Sequence, residues 1–173
     1  MEIYLIRHTR PQLTKGLIYG RTDLPLAESF EEEMINVRSI LPEDIEAVYS
    51  SPSQRCSHLA HAISAKPLLD ERLYELHFGE WEGKTWDTID RMASEIWMED
   101  YMNRRPPAGE TMLEMKERVK SFWDEIKATG KQRIAVVTHG GVIRLLLAIE
   151  GQIAIENMWE RVISFGEVVC IST

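Results

Sequence analysis

Ile3-Tyr4-Leu5-Ile6-Arg7-His8 and Ile134-Ala135-Val136-Val137-Thr138-His139-Gly140-Gly141 are the two stretches on which the fold turns. In each, a short unbroken apolar run passes directly into a polar group that contains a histidine. Continuous apolar runs of about four to eight residues suit strands buried on both faces, as in a parallel sheet. In open α/β sheets, ligands bind beyond the carboxyl ends of the strands. His8 and His139 are therefore expected where a site forms. Gly140-Gly141 lets backbone approach a ligand closely at the start of an apolar helix, whose free N–H groups favour anions. On position alone, the alternative is two unrelated surface histidines at strand ends.

Outward from these runs, strands and helices alternate. Residues 7–25 form a long polar loop, a length that is uncommon within a compact domain unless it carries function. Residues 26–41 read as a helix whose solvent face holds Glu28, Glu31, Glu32 and Glu33. Ala47–Tyr49 is a short strand, and a helix over about 53–65 puts Cys56, Leu59, Ala60 and Ile63 on one face. Residues 70–85 read as loop, punctuated by Gly79 and Gly83. A helical region over 86–103 stops before Pro106-Pro107. Thr111 and Glu114 make a capping box, and the helix behind it aligns Met112, Met115, Val119, Phe122, Trp123 and Ile126. A helix follows Gly140-Gly141 to about 149. The tail, 160–173, alternates weakly around Gly166 and is expected to be a hairpin or two strands. This order implies one α/β domain, 1–173, with a largely parallel sheet.

A chain of 173 residues with 44% apolar and 28% charged residues is ordinary for a globular protein. Its net charge of −8 argues against a general binder of nucleic acid or of acidic membranes. Phosphate chemistry would need a local basic site, and the first 25 residues supply one. There Arg7, Arg10, Lys15 and Arg21 face only Glu2 and Asp23. Arg55, behind Ser50-Ser51-Pro52-Ser53, is a further candidate, because guanidinium grips phosphate oxygens in pairs. Cys56 and Cys170 form no CxxC pair and read as buried thiols in a reducing compartment. No signal peptide is expected, and the longest apolar stretch, Val142–Ile149, is too short to span a bilayer and is broken by Arg144. The expected location is the cytoplasm.

At this point the residues resemble a family. Ile6-Arg7-His8-Thr9 resembles the RHG/RHT signature of the histidine phosphatase superfamily, in its phosphoglycerate mutase-like branch. Ser50-Ser51-Pro52-Ser53-Gln54-Arg55 is similar to that family's second arginine motif, and Leu73 to Gly83 (LYELHFGEWEG) to its acidic motif. Pro107-Ala108-Gly109-Glu110-Thr111 resembles its PxGES segment, and Thr138-His139-Gly140-Gly141 its second histidine motif. The resemblance implies a three-layer α/β/α sandwich and a metal-independent phosphatase without a cofactor. By the same resemblance His8 is the nucleophile that carries the phosphoryl group. Arg7, Arg55 and His139 hold the phosphoryl oxygens, with Gly140 beside them. Glu75 protonates the leaving oxygen and then activates water. Neutral imidazole is a competent nucleophile near neutral pH, and fixed cations stabilise phosphoryl transfer without reorganising.

Where many relatives carry an asparagine in the loop after the nucleophile, this chain has Thr14. The loop continues Ile18-Tyr19-Gly20-Arg21-Thr22-Asp23-Leu24-Pro25-Leu26, which resembles the α-ribazole-5′-phosphate phosphatase subgroup. That likeness implies α-ribazole 5′-phosphate, from cobalamin nucleotide-loop assembly, as substrate. Thr14 and Arg21 are expected as further phosphate contacts. A broad-specificity small-metabolite phosphatase is the alternative, with a mutase or a catalytically silent phospho-ligand binder behind it. The expected partner is a small phosphorylated metabolite, with no nucleic acid and no membrane; a homodimer is left open. His58 and His61, one helical turn apart, read as a solvated face rather than half a metal site. His77 lines the pocket or shapes its loop. Trp81, Trp86, Trp97, Met92, Met98 and Met102 read as core or lid packing, with a wall for an aromatic nucleoside as the sharper alternative.

Overall fold

The computed structural model describes residues 1–173. Its strands are β1 (Glu2–Arg7), β2 (Ala47–Ser50), β3 (Leu68–Leu69), β4 (Arg133–Thr138) and β5 (Val168–Ser172). Its helices are α1 (Phe30–Ile40), α2 (Gln54–Ile63), α3 (Arg91–Glu99), α4 (Met112–Lys127) and α5 (Gly140–Ile149). The strands form one sheet in the order β3-β2-β4-β1-β5. All neighbours are parallel except β5, which runs antiparallel to β1.

Register decides where the site lies. Ile3 pairs with Ile134 and Arg7 with Thr138, so the two apolar runs end level with each other. The His8 amide carries the ladder one step further by donating to the Thr138 carbonyl at 3.0 Å. β2 ends at the same rim, where the Ser51 amide donates to the Val137 carbonyl at 3.0 Å. Three adjacent parallel strands thus deliver His8, Ser51 and His139 to one edge of the sheet.

Side chains alternate across a strand, and both faces of this sheet are covered. Ile3, Leu5, Ile134 and Val136 pack with the apolar stripe of α4 and with Val142, Ile143 and Leu146 of α5. Ile6, Val48, Ala135 and Val137 pack with Val37 of α1 and Cys56, Leu59 and Ala60 of α2. This is the three-layer α/β/α arrangement, with the central sheet largely parallel. The capping box holds α4: Thr111 Oγ1 accepts from the Glu114 amide at 3.1 Å while Glu114 Oε2 accepts from the Thr111 amide at 2.8 Å.

Several sequence expectations need correction. The helix expected over 86–103 is shorter, because Asp90 accepts from the Ala93 amide at 2.7 Å and starts α3 at Arg91. The helix expected from 26 begins at Phe30, after a turn at Ala27–Ser29. The tail is neither a hairpin nor two strands. After a 3-10 helix at Ile155–Glu160, residues 160–173 contribute the single strand β5, which finds its partner in β1. Two-residue β3 was not anticipated, since Leu68 and Leu69 carry no alternation. Cys56 is buried as expected, whereas Cys170 is exposed; both are free thiols. No helix is long and apolar enough to cross a membrane.

Candidate active site

His8 is buried, and the hydrogen bond at its Nδ1 identifies its reactive atom. Nδ1 lies 2.7 Å from the Thr9 carbonyl oxygen. A carbonyl only accepts, so Nδ1 carries the proton and the lone pair is on Nε2. His139 is also fully buried. Its Nδ1 lies 3.2 Å from Arg55 Nη2, which can only donate, so the proton is on Nε2, which donates to Ser51 Oγ at 2.9 Å. Burial, with the positive charge of Arg55 next in weight, holds both rings well below the ordinary histidine value. The two rings meet edge to face with centroids 5.2 Å apart.

Arg7 leaves the end of β1 beside His8. Its Nη1 donates to the Ile163 carbonyl, and its guanidinium lies 3.9 Å from the centre of the Phe165 ring. Arg55, in the first turn of α2, is fully buried. Its Nη1 donates to the Thr22 carbonyl at 2.9 Å and its Nη2 to the Gly20 carbonyl at 2.6 Å, so the loop before α1 wraps the guanidinium. The loop is held in turn by Glu82, whose carboxylate accepts from the amides of Arg21 and Thr22 at 3.1 and 2.9 Å.

Four buried side-chain polar atoms have no hydrogen-bond partner, and three of them are Arg7 Nε, Thr9 Oγ1 and Arg55 Nε. Buried donors are almost always satisfied, and leaving one unsatisfied costs about 1–3 kcal/mol. All three orphans belong to residues at this rim: Arg7 and Thr9 at the end of the histidine strand, Arg55 on the helix packed beside it.

Glu75 reaches the same rim from an irregular segment. Its Oε2 accepts from the Gly141 amide at 3.0 Å, in the first turn of α5 directly after His139. Its Oε1 accepts from the Leu76 amide at 3.0 Å. A Cβ on Gly141 would sit 2.3 Å from Glu75 Oε1, so the carboxylate would have to move to admit one. Gly140 opens α5, where an amide has no intrahelical acceptor.

Not every candidate joins this cluster. Thr14 is exposed, and its carbonyl closes a turn by accepting from the Leu17 amide at 3.1 Å. Arg21 is committed elsewhere: Nη2 donates to Glu110 Oε2 at 3.2 Å and Nε to the Glu75 carbonyl at 3.4 Å. In this structure its side chain forms an ion pair with Glu110. His139 differs in detail from its expected part, since both ring nitrogens already have protein partners. His58 and His61 are exposed on α2, and no group of three or more His, Cys, Asp or Glu side chains is arranged to hold a metal ion. The His77 amide, not its ring, is engaged, donating to Glu110 Oε1 at 3.1 Å. Trp81 and Trp97 are buried in the core beside Phe78, which supports packing over a nucleoside wall for these two. Thr9, Ser51 and Phe165 were not singled out by the sequence. Thr9 lies within the histidine motif, but Phe165 sits in the tail and carries no local signal.

The sequence pattern of the Histidine phosphatase superfamily (branch 1) matches residues 3–173. The chain is 31% identical to a putative phosphoserine phosphatase 2 of Hydrogenobacter thermophilus, over 91% of this chain and 82% of that one. It is 28% identical to the adenosylcobalamin/alpha-ribazole phosphatase of Escherichia coli, over 92% and 83% of the two chains. Among solved structures, the alpha-ribazole phosphatase from Shigella flexneri superposes with a TM-score of 0.87 at 27% identity, covering 99% of this chain and 90% of that one. A matched pattern over almost the full length, with both histidine strand ends in register, establishes the relationship: the chain belongs to branch 1 of the histidine phosphatase superfamily.

Proposed function

We propose that residues 1–173 act as one domain that hydrolyses phosphomonoesters through a phosphohistidine on His8. The observation that carries this reading is a buried imidazole whose Nε2 lone pair is free, with the charges of Arg55 and Arg7 acting on it and Glu75 held at the start of α5 on the same rim. In the first step His8 Nε2 attacks phosphorus, the ester P–O bond breaks, and the leaving oxygen takes the proton of the Glu75 carboxyl. In the second, water attacks phosphorus, Glu75 accepts its proton, and the P–N bond returns its electron pair to Nε2. Arg7 and Arg55 hold the phosphoryl oxygens as charge shifts between them. His139 positions Arg55 through Nδ1; a direct bond to phosphate requires its Nε2 proton to leave Ser51. The two arginines supply the positive charge that a divalent ion supplies in other phosphatases, so no metal is needed.

The proposed substrate is α-ribazole 5′-phosphate. The Ile18–Leu26 string and the alpha-ribazole phosphatases among the relatives support it. A broad or phosphoserine-directed specificity is the second reading, favoured by the Hydrogenobacter relative. A panel of phosphomonoesters compared by kcat/KM separates them. α-Ribazole 5′-phosphate leads if the first reading holds, and a flat profile or a phosphoserine lead overturns it. Brief mixing with labelled substrate leaves acid-labile, base-stable phosphate on the protein. His8→Ala abolishes that label and lowers kcat by about 10³-fold or more. Label on serine, or turnover that survives His8→Ala, would sink the mechanism.

A further inference from the structure

Glu75 lies between a 3-10 turn at Glu71–Leu73 and another at Gly79–Trp81, in backbone with no helix or strand of its own. A carboxylate that must meet a leaving oxygen needs better placement than an irregular segment gives by itself. The placement comes from Arg118, in the middle of α4. Arg118 Nη1 donates to the carbonyls of Arg72 and Tyr74, both at 2.7 Å, and Nη2 to the carbonyl of Glu75 at 3.2 Å. One guanidinium therefore pins three carbonyls of the acid-bearing segment.

The guanidinium is itself fixed. Glu110 accepts from Arg118 Nη2 at 2.5 Å and from Nε at 3.1 Å, a two-pronged pair with both side chains largely buried. The same carboxylate accepts from the His77 amide at 3.1 Å, two residues past Glu75. It also pairs at 3.2 Å with Arg21 Nη2, whose loop carbonyls at Gly20 and Thr22 hold Arg55. Arg118, Glu110 and Arg21 thus tie the acid segment to the arginine loop and to the capped helix α4.

We propose that Arg118, oriented by Glu110, is the positioning residue that sets the Glu75 carboxylate against the leaving oxygen. This rests on the assignment of Glu75 as the proton donor. A group that acts through the acid matters in proportion to the proton demand of the leaving group. An alkoxide needs the proton and p-nitrophenolate hardly does, and general acid catalysis is typically worth about 10²–10⁴-fold.

The test compares kcat/KM on an alkyl phosphate, glycerol phosphate, with that on p-nitrophenyl phosphate for Glu75→Gln, Arg118→Lys and Glu110→Gln, and for Arg118→Lys combined with Glu75→Gln. Arg118→Lys and Glu110→Gln are expected to lose about tenfold or more on the alkyl ester beyond any loss on the nitrophenyl ester. KM for the nitrophenyl ester stays near that of the wild type in Arg118→Lys, which leaves the Glu110–Arg21 pair in place. In the Glu75→Gln background, Arg118→Lys is expected to add little, because the group it positions is gone. Glu110→Gln is isosteric and still accepts from the His77 amide, so it reads the proposal even if Arg118→Lys folds poorly. Equal losses on both esters, or full additivity with Glu75→Gln, overturn the positioning role. If Glu75→Gln itself loses equally on both esters, the acid assignment fails first; if it is selective and the other two variants are not, the positioning proposal alone fails.

Discussion

Gly141 puts two requirements on one residue, and they pull in opposite directions. In the first turn of α5, alanine is preferred to glycine by about 1 kcal/mol. Yet a methyl group there would lie 2.3 Å from Glu75 Oε1 and push the carboxylate off its amide. Gly141→Ala is therefore expected to keep or raise Tm while lowering kcat/KM on alkyl phosphates by about 10²-fold, the lower bound of a lost general acid. Melting and turnover measured on one preparation check both halves, and unchanged turnover would show that the carboxylate moves without consequence. The buried histidines set a second expectation. Burial holds His8 and His139 well below the ordinary value, with Arg55 adding to the effect, so the folded rings stay neutral where the unfolded chain takes up protons. Stability is present in full above about pH 6.5 and falls as pH drops below it, by about 1.4 kcal/mol per pH unit for each ring not protonated. Urea unfolding across that window should show His139→Gln with a slope shallower by about that amount. Parallel slopes would mean that the ring takes up its proton in the folded protein.

At the scale of elements, α4 does three separate things. Its apolar stripe covers one face of the sheet, its N-terminal box ends the PxGE segment, and its middle turn carries Arg118. Each was legible to a different degree. The stripe and the box were plain in the sequence, because both are patterns within one helix. Arg118 was not, because an arginine in mid-helix reads as solvated until the segment it braces is packed against it. Thr111→Ala removes the cap and is expected to cost about 0.5–2 kcal/mol, typically near 1. For a chain of this size that lowers Tm by about 2–4 °C per kcal/mol, and an unchanged Tm would mean that Glu114 alone secures the helix start.

Across the whole molecule, a chain with a net charge of −8 gathers positive charge where β1, β2 and β4 end. Arg7 and Arg55 converge beside His8, each with an unpartnered Nε, while carboxylates other than Glu75 stand behind the site bracing loops. The sheet order makes this possible, since β4 lies between β1 and β2 and brings residues far apart in sequence to one rim. In the proposed mechanism these two guanidinium groups supply the charge that a divalent ion supplies elsewhere. Activity after exhaustive chelation and dialysis is expected to match that of untreated enzyme. Activity lost to EDTA and regained with a divalent metal would return attention to His58 and His61 on α2.

By itself the sequence determined the α/β class, the two buried strands and the capped amphipathic helix, which are written in short apolar runs and helical spacing where backbone geometry alone relates neighbours. The grouping of His8, Arg7, Arg55, Glu75 and His139 came from the resemblance of five short motifs to a family. Tertiary structure decided the rest. It paired the tail as a single antiparallel strand with β1, left Thr14 exposed, and paired Arg21 with Glu110. It brought Phe165 under Arg7, and Arg118 under Glu75. A guanidinium takes whichever acceptors packing brings within reach, and those acceptors come from segments dozens of residues away. No local pattern encodes that choice; only the packed sheet and its covering helices make it.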